Sequence, residues 1–195
     1  GAQKGVLPTH GARDALIVGY TAAEKSDFKA RLFLAVHEAS GWMYAKWATG
    51  PDLHRDSWQP TLEHWIAAHN SMLLAFGRVP DSIAHAPSSA ATVIRYCRGQ
   101  RPVKNVYYRQ TYLSWAGHYG VAVPTSRPDR GPAKWPAIFL SAQDRLKEVL
   151  AGNHAELAAA VERANSAHPL RQGFMREDKV TYLPGDLYVC GPWTE

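Results

Sequence analysis

The sequence predicts a single α/β domain, a mixed sheet flanked by helices, on three observations. Short apolar runs cluster near the start, one long segment of helical periodicity follows, and strand-type and helix-type patterns alternate from there on. Leu16-Ile17-Val18-Gly19-Tyr20 reads as a short buried strand and Leu32-Phe33-Leu34-Ala35-Val36-His37-Glu38 as a longer one. Ser40-Gly41 supplies a turn, so Trp42-Met43-Tyr44-Ala45-Lys46-Trp47 is expected to fold back as the second arm of a hairpin.

The first helix is the plainest element. Trp58, Leu62, Trp65, Ile66, His69, Met72, Leu73 and Phe76 recur at three- and four-residue spacing and define one broad apolar face. Asp56 or Ser57 is the expected cap, Pro60 is acceptable in a first turn, and Gly77 ends the helix. His69 falls on the apolar face with no second ligand one turn on, so it is expected as a packed, hydrogen-bonded core residue. Val79 to Ala86 is a strand candidate. Tyr108, Tyr112, Trp115, Ala116 and Tyr119 mark a second helix closed by Gly120, its aromatic stripe expected in the core. Val121-Ala122-Val123 is a short strand, Pro124 to Pro136 a proline-rich basic loop, and two further helices carry Ile138 to Leu150 and Leu157 to Ala164. The expected order is β-β-β-α-β-α-β-α-α.

With 195 residues, 46% of them hydrophobic, and seven tryptophans, the chain suffices for one sizeable core. Residues 1–13 read as a leader or expression remnant, 14–152 as the core, and 153–195 as a C-terminal helix with the start of a β-rich appendage, which suggests a piece of a longer chain. Cys97 and Cys190 are far apart and form neither a zinc motif nor a disulfide framework, so a reducing cytoplasm is the default. No apolar run is long enough to span a bilayer, so no membrane role is expected. The net charge of +5 is unevenly placed. Arg95, Arg98, Arg101, Lys104, Arg109, Arg127, Arg130 and Lys134 face Asp129 as the sole acid between residues 95 and 134, and the rest of the chain is slightly acidic. If a polyanion binds, its phosphates concentrate there.

Five segments, in order, carry a resemblance. Leu34 to Ala45 resembles the second-strand, turn and third-strand segment of retroviral integrase cores. Phe76-Gly77-Arg78-Val79-Pro80, Trp115 to Ala122 and Arg127-Pro128-Asp129-Arg130-Gly131-Pro132-Ala133-Lys134 are similar to the first-helix end, the helix end with its strand, and the "R-P-x-x-P-x-x-K" loop of bacterial insertion-sequence transposases of the IstA type. Ala164-Asn165-Ser166-Ala167-His168 through Gly173 echoes their "A-N-x-x-x-H-x-x-x-G" run. The resemblance spans residues 14–175 and implies a ribonuclease-H-like sheet whose three carboxylates hold two magnesium or manganese ions for strand transfer at phosphorus.

At the positions where the resemblance places those carboxylates the chain has Gly19, Ala86 and Ile138. Asp14 and Asp81 each lie five residues away along extended chain, too far to share a metal. Asp144 and Glu148 fall off the relevant helical face or too far along it. Glu38 is a single acid on a central-looking strand, and His37 and His85 would favour zinc if they lay near the site. No cofactor and no catalytic residue are therefore expected. The leading expectation is a non-catalytic integrase-like module that touches DNA, or a transposase partner, through the eight basic residues. The alternatives are a protein-interaction or self-assembly module and, less favoured, an active transferase with relocated metal ligands.

Overall fold

The computed structural model describes residues 14–25, 28–48, 59–85, 90–97, 103–123, 137–152 and 156–166. Its elements are β1 (Ala15–Lys25), β2 (Phe28–His37), β3 (Met43–Trp47), α1 (Leu62–Phe76), β4 (Ser82–His85), β5 (Thr92–Cys97), β6 (Val103–Tyr108), α2 (Gln110–Tyr119), α3 (Ala137–Gly152) and α4 (Leu157–Ser166). The main sheet has the order β3-β2-β1-β4. β1 is antiparallel to β2 and parallel to β4, and β5 and β6 form a separate two-stranded ribbon.

Alternation along β1 and β2 builds two cores, one on each face. Leu16 and Val18, with Phe33 and Ala35, pack under α1 and α2 around Trp65, Met72, Tyr112 and Trp115. Ile17, Leu34 and Val36 face the other way, onto Phe139, Ala142 and Leu146 of α3 and Ala160 and Ala164 of α4. A strand buried on both faces must be apolar at successive positions, which is why Leu16-Ile17-Val18 is a continuous run.

Several expectations shift. β1 runs on through Thr21-Ala22-Ala23-Glu24-Lys25, of which Ala, Glu and Lys have low strand propensity, held in place by pairing with β2 as far as Lys25↔Phe28. β2 ends at His37, so Glu38 stands exposed in the turn rather than on a central strand; Gly41, at φ 70°, carries that turn into β3. The cap of α1 is Thr61: its side chain accepts from the His64 backbone N–H, and the His64 ring accepts from the Thr61 N–H. Pro60 therefore precedes the helix, and Trp58, Asp56 and Ser57 lie outside the described residues. The β5–β6 ribbon was not anticipated; it takes Tyr108 out of the second helix, which begins at Gln110. The strand expected at 121–123 reduces to one parallel bridge, Ser82↔Ala122.

Candidate functional site

In parallel strands the C-terminal ends lie side by side, and the β1–β4 register sets Val18 beside His85. Gly19 comes next on β1, buried and opposite Leu34 of β2. Because side chains alternate, the Gly19 position belongs to the face of Ile17 and Thr21, the one covered by α3. There Gln143 of α3 donates from Nε2 to the Thr21 hydroxyl. Ile138, half-buried in the first turn of α3, packs in the same layer with Ala84 of β4. Gly19 and Ile138 thus share one side of the sheet, where the described side chains include the aliphatic and aromatic groups of Ala84 and Phe139 with the Thr21 hydroxyl and the Gln143 amide. Ala86 lies outside the described residues.

The acids considered as substitutes lie elsewhere. Asp14 sits at the opposite, N-terminal end of β1, and Asp81 is exposed just before β4. Asp144 and Glu148 are exposed on α3, and no group of three or more His, Cys, Asp or Glu side chains among the described residues is placed to hold a metal. Magnesium in such a pair is held by charged carboxylate oxygens, so the neutral hydroxyl and amide among the described residues between β1 and α3 do not fit one.

Neither histidine considered as a relocated ligand reaches that face. His37 ends β2 at the Asp14 end of the sheet, where its Nε2 donates to Asp14 Oδ1 (3.0 Å) and its Nδ1 accepts from the Ser40 hydroxyl (2.7 Å). Arg78 donates to both oxygens of Asp14, each at 2.8 Å. This Ser–His–Asp chain ties together the start of β1, the β2–β3 turn and the segment after α1. It is not set up for nucleophilic catalysis: Ser40 is buried and also accepts from the Trp42 N–H, and the guanidinium occupies the carboxylate. Burial lowers the His37 pKa, outweighing the hydrogen bond to Asp14, so the imidazole is a poor base.

His85 lies on the α1/α2 face, in an aromatic box with ring centroids 5.1 Å from Trp65, 5.6 Å from Tyr112 and 5.6 Å from Tyr108. His69 completes the box as the expected core histidine. Its Nδ1 donates to the Trp65 carbonyl (2.7 Å), and its ring stands 4.5 Å from Trp65 and 5.1 Å from Trp115. Burial holds its pKa down to about 3, with the nearby His85 adding in the same direction and the hydrogen bond to Trp65 opposing. Trp65 Nε1 and the Tyr112 hydroxyl feel one another but make no well-formed hydrogen bond, and His69 Nε2 is buried without one.

Of the eight basic residues, the structure places three. Arg95 lies on β5, Lys104 on β6, and Arg109 at the N-cap of α2, half-buried, its backbone N–H donating to the Ala91 carbonyl (2.8 Å). The register pairs Arg95 with Asn105 and Tyr96 with Lys104. Arg98, Arg101, Arg127, Arg130 and Lys134 lie outside the described residues, as do 1–13, the segment after Ser166 and Cys190. The sequence reading missed the ribbon that carries Arg95 and Lys104. Its signal was present in the β-branched and aromatic Thr92-Val93-Ile94 and Val106-Tyr107-Tyr108 around Arg98-Gly99-Gln100-Arg101-Pro102.

No protein-family model matches the sequence, and no curated protein matches it. Solved structures do. The HTLV-2 integrase catalytic core domain, determined with magnesium in a dimeric form, superposes with a TM-score of 0.52 at 15% identity, covering 83% of this chain and 87% of that one. The BIV integrase catalytic core gives 0.53 at 13% identity, covering 87% and 90%. A chain of the simian T-cell lymphotropic virus intasome bound to the PP2A regulatory subunit B56 gamma gives 0.52 at 14% identity; the match covers 99% of this chain but 59% of that one. The chain has the ribonuclease-H-like fold of retroviral integrase catalytic cores.

Proposed function

We propose that the chain is a degenerate, non-catalytic integrase or transposase core, nearest in kind to the IstA-type transposases, that associates with DNA through the basic region from Arg95 to Lys134. The observation that carries this reading is the junction of β1 and α3. It holds Gly19, Leu34, Thr21, Gln143 and Ile138, and none of these supplies the oxygen charge that a metal pair requires. Attraction of lysine and arginine to phosphate needs no metal, so DNA contact persists where strand transfer does not. No described helix is long and apolar enough to cross a membrane; we place the protein in the cytoplasm from its cysteine usage.

Titration of a labelled DNA duplex with the full chain across a salt series tests the reading, run beside a strand-cleavage assay with magnesium or manganese. Affinity is expected to fall by roughly 10³-fold or more between about 50 and 200 mM salt if six or more phosphates are contacted. No cleavage is expected. Absence of binding at low salt sinks the DNA association, and metal-dependent cleavage sinks the non-catalytic assignment.

A second reading is a protein-interaction or self-assembly module. Leu74 of α1 and Leu113 of α2 are 43% and 37% exposed, and HTLV-2 integrase cores are described in dimeric and trimeric forms. Light scattering that shows a concentration-independent monomer would remove self-assembly.

A further inference from the structure

We infer that the β5–β6 ribbon is a reading element for duplex DNA, entering the major groove; this rests on the DNA association proposed above and assigns it to one structural part. The ribbon is a sheet of its own, and among the described residues no other strand or helix makes a sustained contact with β5 or β6. Its attachment is at the base. Ala90, Ala91 and Thr92 are buried, Tyr108 packs on Tyr112 and His85, and Arg109 N–H closes on the Ala91 carbonyl. A two-stranded ribbon on its own is at best marginally stable, so one that the described elements hold at its base gains from a surface that covers the rest.

Charge identifies the cover. Residues 92–108 contain Arg95, Arg98, Arg101 and Lys104 and not one Asp or Glu. A solvated protein surface mixes signs; an all-positive ribbon complements a polyanion. Shape narrows the choice further. Each strand has six residues, about 20 Å at ~3.3 Å per residue, and two strands lie ~4.8 Å apart. With side chains, such a ribbon fits the B-DNA major groove, about 12 Å wide, and is too broad for the minor groove, about 6 Å wide.

The register also separates two faces. Thr92 and Tyr108 are paired and turned toward the core, whereas Val93 and Tyr107 are paired and turned outward, Tyr107 being 49% exposed. Alternation then puts the Arg95↔Asn105 pair of positions on the outward Tyr107 face and the Tyr96↔Lys104 pair on the other. Arginine and asparagine are the residue types that make two-point hydrogen bonds to guanine and adenine edges in that groove.

The test uses the full chain in anisotropy titrations with a short labelled duplex, comparing wild type with R95Q/K104Q, the charge-preserving R95K/K104R, N105A, and the loop variant R127Q/R130Q/K134Q. The ribbon double variant is expected to weaken binding roughly tenfold or more and to lower the log–log salt slope by about 2, while R95K/K104R keeps the slope. N105A is expected to weaken binding and leave the slope in place. Duplexes with 7-deazapurines, which lack the major-groove N7 acceptor, are expected to bind more weakly, and a minor-groove ligand is expected not to compete. Circular dichroism melts matching wild type establish that each variant is folded; should R95Q/K104Q melt early, N105A and the deazapurine duplexes decide. If wild type binds no duplex, the DNA association itself fails. If wild type binds and only the loop variant loses affinity, the ribbon assignment fails alone, and its open edges are left for a protein strand. Competition by the minor-groove ligand, with no deazapurine effect, overturns the groove.

Discussion

Asn165 of α4 pairs with both backbone polar groups of Met43: its Oδ1 accepts from the Met43 N–H at 2.8 Å and its Nδ2 donates to the Met43 carbonyl at 2.9 Å. Met43 begins β3, the edge strand of the main sheet, so one amide side chain does there what a fifth strand would do. Asn165→Ala leaves two buried backbone groups unpartnered, and a loss of about 2–4 kcal/mol is expected. Chemical denaturation checks this, and a loss below about 0.5 kcal/mol would show that water replaces the amide. Asn165→Asp keeps the acceptor, loses the donor and is expected to fare little better.

Asp14 is held by Arg78 and His37 in a buried cluster. Asp14→Asn strands the guanidinium in the interior and is expected to cost about 3–5 kcal/mol. Ser40→Ala removes the hydroxyl's hydrogen bonds to the His37 ring and from the Trp42 N–H and is expected to cost about 1–3 kcal/mol. The Asp14→Asn/Arg78→Met double variant is expected to lose less than the two single losses added together. Additive losses would show that the pair is not coupled.

Stability is expected to fall with acidification through the histidines. Both His37 and His69 have pKa values lowered by burial, His69 to about 3. An unfolded histidine titrates near 6.5, so below that pH the unfolded chain takes up protons that the folded chain refuses. The contribution is complete above about pH 6.5 and declines as the pH falls, for His69 by roughly 1.4 kcal/mol per pH unit until its folded pKa is reached, with His37 adding in the same direction. His69→Phe removes one of these uptakes. Urea melts between about pH 6 and 4 are expected to show a slope shallower by one proton in that variant; an unchanged slope would mean that His69 is protonated in the fold.

The ends of α1 give two smaller effects. Thr61→Ala breaks the reciprocal cap with His64 and is expected to cost about 1 kcal/mol. Gly77 closes the helix at φ 77° with open space around its α-carbon, so Gly77→Ala pays conformational strain and no clash. About 1 kcal/mol is expected, with Gly77→Asn recovering part of it. Equal losses for Ala and Asn would point to a cause other than the backbone angle.

What the sequence determined by itself is whatever local periodicity encodes. The three N-terminal strands, α1, α3, α4 and the burial of His69, Tyr112 and Trp115 follow from the spacing of apolar residues, because burial imposes the period of the element on the side chains. The ordered segments from Leu34 to Gly173 likewise pointed to the fold that the integrase cores share. Tertiary structure decided what depends on partners distant in sequence. Lys25 is in a strand because Phe28 pairs with it, Thr61 rather than Asp56 or Ser57 caps α1, and Asn165 has its role because β3 lies open beneath it 122 residues away. The same holds for the site. Gly19 and Ile138 fall on one face while His85 turns to the other and His37 goes to the far end, a sorting made by parallel β1–β4 register and strand alternation. Arg95 and Lys104 were legible as charges, but that they ride on a separate ribbon was not. A two-stranded ribbon carries no long periodic stripe, and its basic residues interrupt the apolar pattern that marks a buried strand.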